Sequence, residues 1–268
     1  MLVVIRGAGD LATGVAIRLH GAGANIVMTD VAVPTAVRRT VAFSEAIRLG
    51  EATVEDVCAY RCATADEARR VAEMGHVAVL VDPDGASIAE LKPAAVVDAI
   101  IAKRNLGTNK DMAPIVIAVG PGFRAGADPH ADCDAVIETK RGHYLGRVIY
   151  DGSAIPNTGV PGNIGGYTTE RVLRAPADGL FKPVAHIGDQ VKRGDLIATV
   201  EGQPMPATID GILRGLLQEG VPVTKGMKSG DIDPRCKRAH CFTCSDKARA
   251  VGGGVLEALL HFSGRLRG

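Results

Sequence analysis

Leu2-Val3-Val4-Ile5-Arg6-Gly7-Ala8-Gly9-Asp10-Leu11-Ala12-Thr13-Gly14 opens the chain and decides its fold. Leu2 to Ile5 is a short apolar run rich in β-branched side chains, which suits a strand buried on both faces. A helical pattern follows the glycines, with Leu11, Val15, Ile17 and Leu19 on its apolar side, and a second apolar run, Ile26-Val27-Met28, ends near Asp30. Strand, glycine turn, helix, strand and acid is the order of a dinucleotide-binding unit. Gly7 permits a tight turn and Gly9 lets backbone approach a phosphate. The amides and dipole of the helix start then favour an anion. Asp30, at the carboxyl end of the second strand, is placed to accept hydrogen bonds from ribose hydroxyls, and Arg6 flanks the turn.

Ala12 stands where the third glycine of the motif falls, which its G/A form permits, and Gly14 is expected to serve close helix–strand packing. Asp10 puts an acid where a phosphate would come near, to repel an anion or to coordinate something. Two readings stay open. The turn holds a nucleotide or other phosphate ligand, or it belongs to an α/β core that merely needs glycine there. Similar turns also occur in folds that bind S-adenosylmethionine or nothing at all.

Working outward, 268 residues allow two domains or one large one, and 46% apolar residues mark a globular chain. Aromatics are only 3% and Trp is absent, so the core is built from Ala, Val, Ile and Leu. Base-stacking platforms for single-stranded nucleic acid are thereby disfavoured. A net charge of +1 steers the protein toward neither nucleic acid nor membrane. No apolar run reaches membrane-span length and the first residues lack a signal-peptide charge pattern, so a cytoplasmic location is expected. Six cysteines, three of them loosely scattered, do not suggest a disulfide framework.

Further strands are expected at Val57–Tyr60, Val77–Val81, Ala95–Asp98 and Ile115–Val119, with helices around Phe43–Leu49, Asp66–Met74 and Ser87–Leu91 between them. This alternation predicts an α/β fold with a Rossmann-like, doubly wound parallel sheet over residues 1–150. Arg38 and Arg39 follow the second strand as phosphate contacts or as a solvated pair. Lys103-Arg104-Asn105 follows one strand, Gly120-Pro121-Gly122-Phe123 ends the next, and Glu138-Thr139-Lys140-Arg141-Gly142-His143 closes another, with Leu145–Tyr150 as its hairpin partner. In a doubly wound sheet, carboxyl strand ends meet in the ligand crevice. Lys103, Arg104, Lys140, Arg141 and His143 therefore form either a cationic wall opposite the glycine turn or ordinary surface, His143 also suiting a structural role. Residues 151–174 read as a Gly/Pro-rich linker or lid, with a short helical candidate at Thr169–Leu173.

From Ala177 the chain repeats. Asp178-Gly179 recurs as Asp210-Gly211, Gly188 as Gly220, Val191 as Val223 and Gly194 as Gly226, always 32 residues on. Two copies of D-G…G-x-x-V-x-x-G predict an intertwined, quasi-twofold β module over residues 175–235, like the barrel-sandwich hybrids of biotinyl and lipoyl carriers. The hairpin Glu201–Pro206 has no lysine, so covalent biotin or lipoate is not expected. Residues 236–268 combine a cysteine loop with a helix, Ser245–Leu260, that is expected to pack back on the α/β domain. Cys236, Cys241 and Cys244, with His240, are candidate zinc or iron–sulfur ligands, although a fourth well-placed ligand is lacking, and a loop of thiols is the simpler reading. Gly252-Gly253-Gly254 inside the helix calls for a kink, a break or very close packing.

Arg6–Gly14, Pro34–Ala42, Lys103-Arg104-Asn105, Gly120–Phe123, Val136–His143 and Gly230-Asp231-Ile232-Asp233-Pro234-Arg235 together resemble one family. It is the YqeB-like accessory family of selenium-dependent molybdenum hydroxylase systems, which is distantly similar to xanthine dehydrogenase accessory factors. The resemblance spans nearly the whole chain in order. It implies a cytoplasmic protein that helps mature a hydroxylase cofactor, with the hydroxylase or its other maturation factors as partners. It transfers no catalytic residue. Three functions compete: a maturation factor binding a nucleotide or molybdopterin-type ligand, an NAD(P)-dependent oxidoreductase, and a non-enzymatic docking scaffold. Oligomeric state is open, homo-oligomers included. For the first, the candidate ligand contacts are Arg6, Gly7, Gly9, Asp10, Asp30, Lys103, Arg104, Asn105, Gly122, Lys140, Arg141 and His143.

Overall fold

The computed structural model describes residues 1–265 and divides the chain into two compact units. The first comprises residues 1–34, 42–158 and 244 onward, and the second residues 35–41 and 159–243.

The first unit is a mixed α/β structure around a nine-stranded sheet. Its strands are β1 (Leu2–Arg6), β2 (Asn25–Asp30), β3 (Glu51–Val54), β4 (Val57–Cys62), β5 (Val77–Val81), β6 (Ala95–Asp98), β7 (Val116–Val119), β8 (Ala135–Ile137) and β9 (Val148–Ile149). The order is β3-β4-β5-β2-β1-β6-β7-β8-β9. Strands β5, β2, β1, β6, β7 and β8 run parallel to one another, and β9 closes the edge antiparallel to β8. Without the inserted β3–β4 hairpin, this is the third-second-first-fourth-fifth-sixth order of a dinucleotide-binding sheet, in which direction of winding reverses between β1 and β6.

Alternating residues send Val4, Val27, Ala78, Leu80 and Val96 to one face, under α3 (Ala65–Glu73) and α4 (Ser87–Leu91). The other face carries α1 (Asp10–Gly21) and the C-terminal α5 (Asp246–Ser263), with α2 (Glu45–Leu49) near the hairpin. Crossover β6–β7 holds only a single 3-10 turn, Lys110–Met112, and β7–β8 has no described helix. Phe123, Ala125, Cys133 and Ala154 cover the first face there instead, and α5 packs on β7, β8 and β9 from the other.

Helix α5 runs unbroken through its three glycines, which resolves the choice between kink and close approach. A Cβ on Gly252 would lie 2.8 Å from the Gly14 carbonyl oxygen, and one on Gly254 only 2.2 Å from that of Gly146. A Cβ on Gly14 would lie 2.6 Å from the Ala248 Cβ, so this residue serves helix–helix contact rather than the expected helix–strand contact.

The second unit contains β10 (Val172–Arg174), β11 (Gly179–Pro183), β12 (Gln190–Val191), β13 (Leu196–Val200), β14 (Gln203–Pro206), β15 (Gly211–Leu216), β16 (Pro222–Val223) and β17 (Lys228–Asp233). They form two four-stranded antiparallel sheets, β10-β17-β15-β12 and β14-β13-β11-β16. Advancing β10, β11, β12 and β13 by the repeat of 32 residues gives β14, β15, β16 and β17. The exchange turns one sheet order into the other, and β11 pairs β16 while β15 pairs β12. Each copy thus completes the sheet of the other around Phe181, Ile197, Leu213 and Ile232. Thr169–Leu173 is not helical: Val172 and Leu173 are buried strand residues pairing with Asp231 and Gly230.

Residues 35–41, assigned from sequence to the α/β domain, group with this second unit. The Val37 carbonyl accepts the Leu216 amide and the Arg39 Nε donates to the Leu216 carbonyl. Arg38, 6% exposed, donates to the carbonyls of His240 and Thr243 in the same unit.

Candidate functional site

Carboxyl ends of the parallel strands in the first unit carry stacked loops, and glycine sets their spacing. Gly7, at φ +95°, follows β1, and a Cβ there would lie 2.9 Å from the Ala99 carbonyl oxygen in the loop after β6. Gly122, at φ +108°, follows β7 and would place a Cβ 2.6 Å from the Arg104 backbone. Gly120 meets Thr139 after β8 in the same way, at 2.9 Å. These glycines are required both for conformation and for approach. Ile101 and Lys103 hold φ of 62° and 63° without being glycine, and for a β-branched residue that is a strained conformation.

Gly9 caps α1 in an extended conformation, and its carbonyl accepts the Thr13 amide. Asp10 opens the helix, where its charge complements the dipole. Asp30 turns inward on the turn itself. Its Oδ2 accepts the Ala8 amide and its Oδ1 the Val31 amide, both at 2.8 Å. Burial pushes its carboxyl above the ordinary value, with these two bonds working against the rise. Each oxygen thus accepts one backbone amide and keeps a further lone pair for another donor.

Arg6 is not a ligand contact. It is 1% exposed, donates to Thr108 Oγ1 and to the carbonyls of Pro83 and Leu106, and lies 3.6 Å from Asp98. Thr108 in turn donates to Asp98 Oδ2 at 2.6 Å, so its hydroxyl bridges cation and anion. Burial raises the Asp98 carboxyl, outweighing the Thr108 and Ile100 hydrogen bonds and the Arg6 charge. The sequence reading missed this relay: Asp98 appeared only as a strand end, and nothing near residue 108 announces a buried partner. Asn105 is likewise a loop staple, donating to the Thr108 carbonyl and Asp132 and accepting the Thr108 amide.

The proposed cationic wall separates into two groups. Lys103 and Arg104, both exposed, sit in the loop after β6, one strand from the glycine turn. Lys140, Arg141 and His143 follow β8, three strands away, or roughly 14 Å at the usual interstrand spacing. The two cationic groups are themselves two strands apart, roughly 10 Å along the sheet edge, a span that an extended ligand can cover. Arg141 makes a bidentate pair with Asp246 at 2.6 and 2.9 Å, which ties the loop to the start of α5. His143 is exposed and stacks edge-on against Tyr144. Lys140 is exposed, and its amide donates to Glu138, a buried carboxylate that also accepts the Ile155 amide.

Among the described residues, no group of three or more His, Cys, Asp or Glu side chains is arranged to hold a metal ion. Cys236 is exposed, Cys241 is buried with its thiol toward the Leu213 carbonyl, and Cys244 lies in the other unit. In the second unit the Gly230–Arg235 motif builds an ion-pair network instead. Asp231 accepts from Arg171 and Arg214, and Asp233 from Arg214 and Arg235. Burial alone would raise Asp233, but Arg235 hydrogen bonds and the Arg214 and Arg235 charges hold it well below the usual carboxylate range.

The chain is 55% identical, over 259 residues, to "Uncharacterized protein YqeB" of Escherichia coli (strain K12). Sequence kinship with YqeB, which the motifs suggest, is thus borne out at high identity. The match takes in 97% of this chain and 47% of the relative, so the chain spans about half the length of the curated protein it matches. No protein-family model matches. Two solved structures share 12% identity. They are an aspartoacylase family protein from Mesorhizobium loti (TM-score 0.26, 87% of this chain and 84% of that one) and a succinylglutamate desuccinylase/aspartoacylase from Rhodobacter sphaeroides (TM-score 0.29, 86% and 84%). At these scores neither bears on the fold or the chemistry. No helix among the described residues is long and apolar enough to cross a membrane.

Proposed function

We propose that this chain is an accessory protein that holds a phosphate-bearing ligand, a nucleotide or a molybdopterin-type pterin phosphate, over the strand ends of β1 and β6. The observation that supports this most is the reversal of strand order at Gly7, with exposed Lys103 and Arg104 on the adjoining loop. Strain at Ile101 and Lys103 fits a loop held for a purpose other than stability. Val31, Val33 and Val81, exposed beside Asp30, offer an apolar ledge suited to a planar ring.

The family resemblance carried by the sequence motifs supports, as the physiological role, maturation of a selenium-dependent molybdenum hydroxylase in the cytoplasm, in contact with that enzyme or its other maturation factors. An NAD(P)-dependent oxidoreductase is the second reading, resting on Asp30, whose oxygens each accept one backbone amide and keep a further lone pair for a ribose hydroxyl. A docking scaffold rests on the duplicated β unit, whose turn at Glu201-Gly202 carries no lysine for a carrier group. Native mass spectrometry of the gently purified protein tests the ligand reading. A bound species that carries phosphate and is lost in a Lys103→Gln, Arg104→Gln variant supports it. A species retained by that variant, or consistently ligand-free protein that ADP and NADH both fail to protect against heat, overturns it.

A further inference from the structure

A second candidate site lies away from the glycine turn, in the groove between α1 and α5 of the first unit. Gly14 and Gly252 bring the helices into backbone contact at one level. Beyond it the helices leave a cavity of about 310 Å³, lined in part by Ile17, Arg18, Gly21, Cys244, Arg249 and Leu256. That volume is within the range of small-molecule pockets, about 300–1,000 Å³.

Its charge is unbalanced. Arg249 pairs with Glu55 at 2.6 Å, and the same Glu55 oxygen accepts the Cys244 amide. Arg18, exposed in the last turn of α1, makes no ion pair with any described residue. Two guanidiniums against one carboxylate leave a single positive charge, beside the half-buried apolar side chains of Ile17 and Leu256. The α1 dipole presents its negative end here, so an anion relies on arginine rather than on backbone amides.

We propose that this cavity binds a small monocarboxylate with a compact apolar body, its carboxylate on Arg18 and its body against Ile17 and Leu256. One surplus charge matches one carboxylate and does not match a di- or triphosphate, which separates this site from the crevice at Gly7.

Fluorine NMR titration of the full chain with para-fluorobenzoate, and with para-fluorobenzamide as a neutral analogue of the same shape, tests the proposal. Saturable binding of the benzoate alone is expected, weakened about tenfold or more by Arg18→Gln, as losing a hydrogen bond to a charged group implies. Gly21 has nothing within 4 Å of its Cβ position, so Gly21→Leu fits the helix, fills the cavity and abolishes binding. The Lys103→Gln, Arg104→Gln variant retains it. No binding, equal binding of benzoate and benzamide, or benzoate binding unchanged by Arg18→Gln each overturns the proposal. Should Gly21→Leu fail to fold, the surface change at Arg18 decides alone.

Discussion

Adjacent glycines in α5 offer a sharp test of how the first unit is closed. Gly253 has nothing within 4 Å of its Cβ position, whereas a Cβ on Gly254 would lie 2.2 Å from the Gly146 carbonyl oxygen and 3.0 Å from Ile137 Cγ2. Gly→Ala within a helix gains about 1 kcal/mol from backbone entropy. Gly253→Ala collects that gain in full. Gly254→Ala collects it too, but forces α5 away from the β8–β9 loop by about 1 Å, since ordinary contact begins near 3.4 Å. Overpacking of this kind costs about 1–3 kcal/mol, at the upper end here because the clash is with backbone. The two variants should therefore differ by about 2–3 kcal/mol in opposite senses. All described α-helices lie in the first unit, so far-ultraviolet circular dichroism during urea unfolding reports that unit. With slopes of about 1–3 kcal/mol per molar urea, their midpoints separate by about 1 M, with wild type between them. Coincident midpoints, or Gly254→Ala the more stable, would refute the inference that α5 packs on the sheet through backbone contact.

Thr108→Val removes the hydroxyl shared by Arg6 and Asp98, and the first unit should lose about 1–3 kcal/mol in the same urea assay; an unchanged midpoint counts against the relay. Asp233 is depressed in the folded state, so its stabilisation is present above the unfolded value of about 3.9 and is lost as pH falls toward the folded one. The stability gap between wild type and Asp233→Asn should therefore be widest near neutral pH and narrow below about pH 4, as read from thermal unfolding; a gap independent of pH would show that the arginine network does not act through charge. Cys133 is buried between Asp132 and Asp134, its thiol pushed up to about 12, and Cys62 is pushed up to about 11 mainly by burial and the Glu67 charge. Peptide mapping after mild iodoacetamide treatment should find exposed Cys236 alkylated first and Cys133 and Cys62 spared; early labelling of Cys133 would contradict its placement.

Much of this architecture was legible because it rests on short-range periodicity. Runs such as Val3–Ile5 and Val77–Leu80 are buried on both faces and read as strands directly, and Asp30 falls at a strand end as its spacing suggests. The repeat of 32 residues marks paired glycine turns and leads to exchanged strands. It also extends to β10 and β14, where Arg171-Val172-Leu173-Arg174 has no alternation to reveal a strand. What stayed hidden depends on contacts distant in sequence. Arg6 beside a glycine turn looks like a phosphate ligand until Thr108, more than a hundred residues on, turns out to hold it. Arg141 finds its partner in Asp246 at the start of α5. Arg38 and Arg39 follow β2 in sequence but group with the β unit, a choice made by carbonyls of residues beyond 200. The glycines of α5 signalled close packing, but only their neighbours could say that Gly252 and Gly254 need it and Gly253 does not.

The most direct test of the central claim is a calorimetric titration of ADP into wild type and the Lys103→Gln, Arg104→Gln variant, with Arg141→Ala alongside. The expected result is saturable binding weakened about tenfold or more by the double change and little altered by Arg141→Ala, whose guanidinium is committed to Asp246. Equal affinity in wild type and the double variant would contradict it, and would leave the strand reversal at Gly7 as architecture alone.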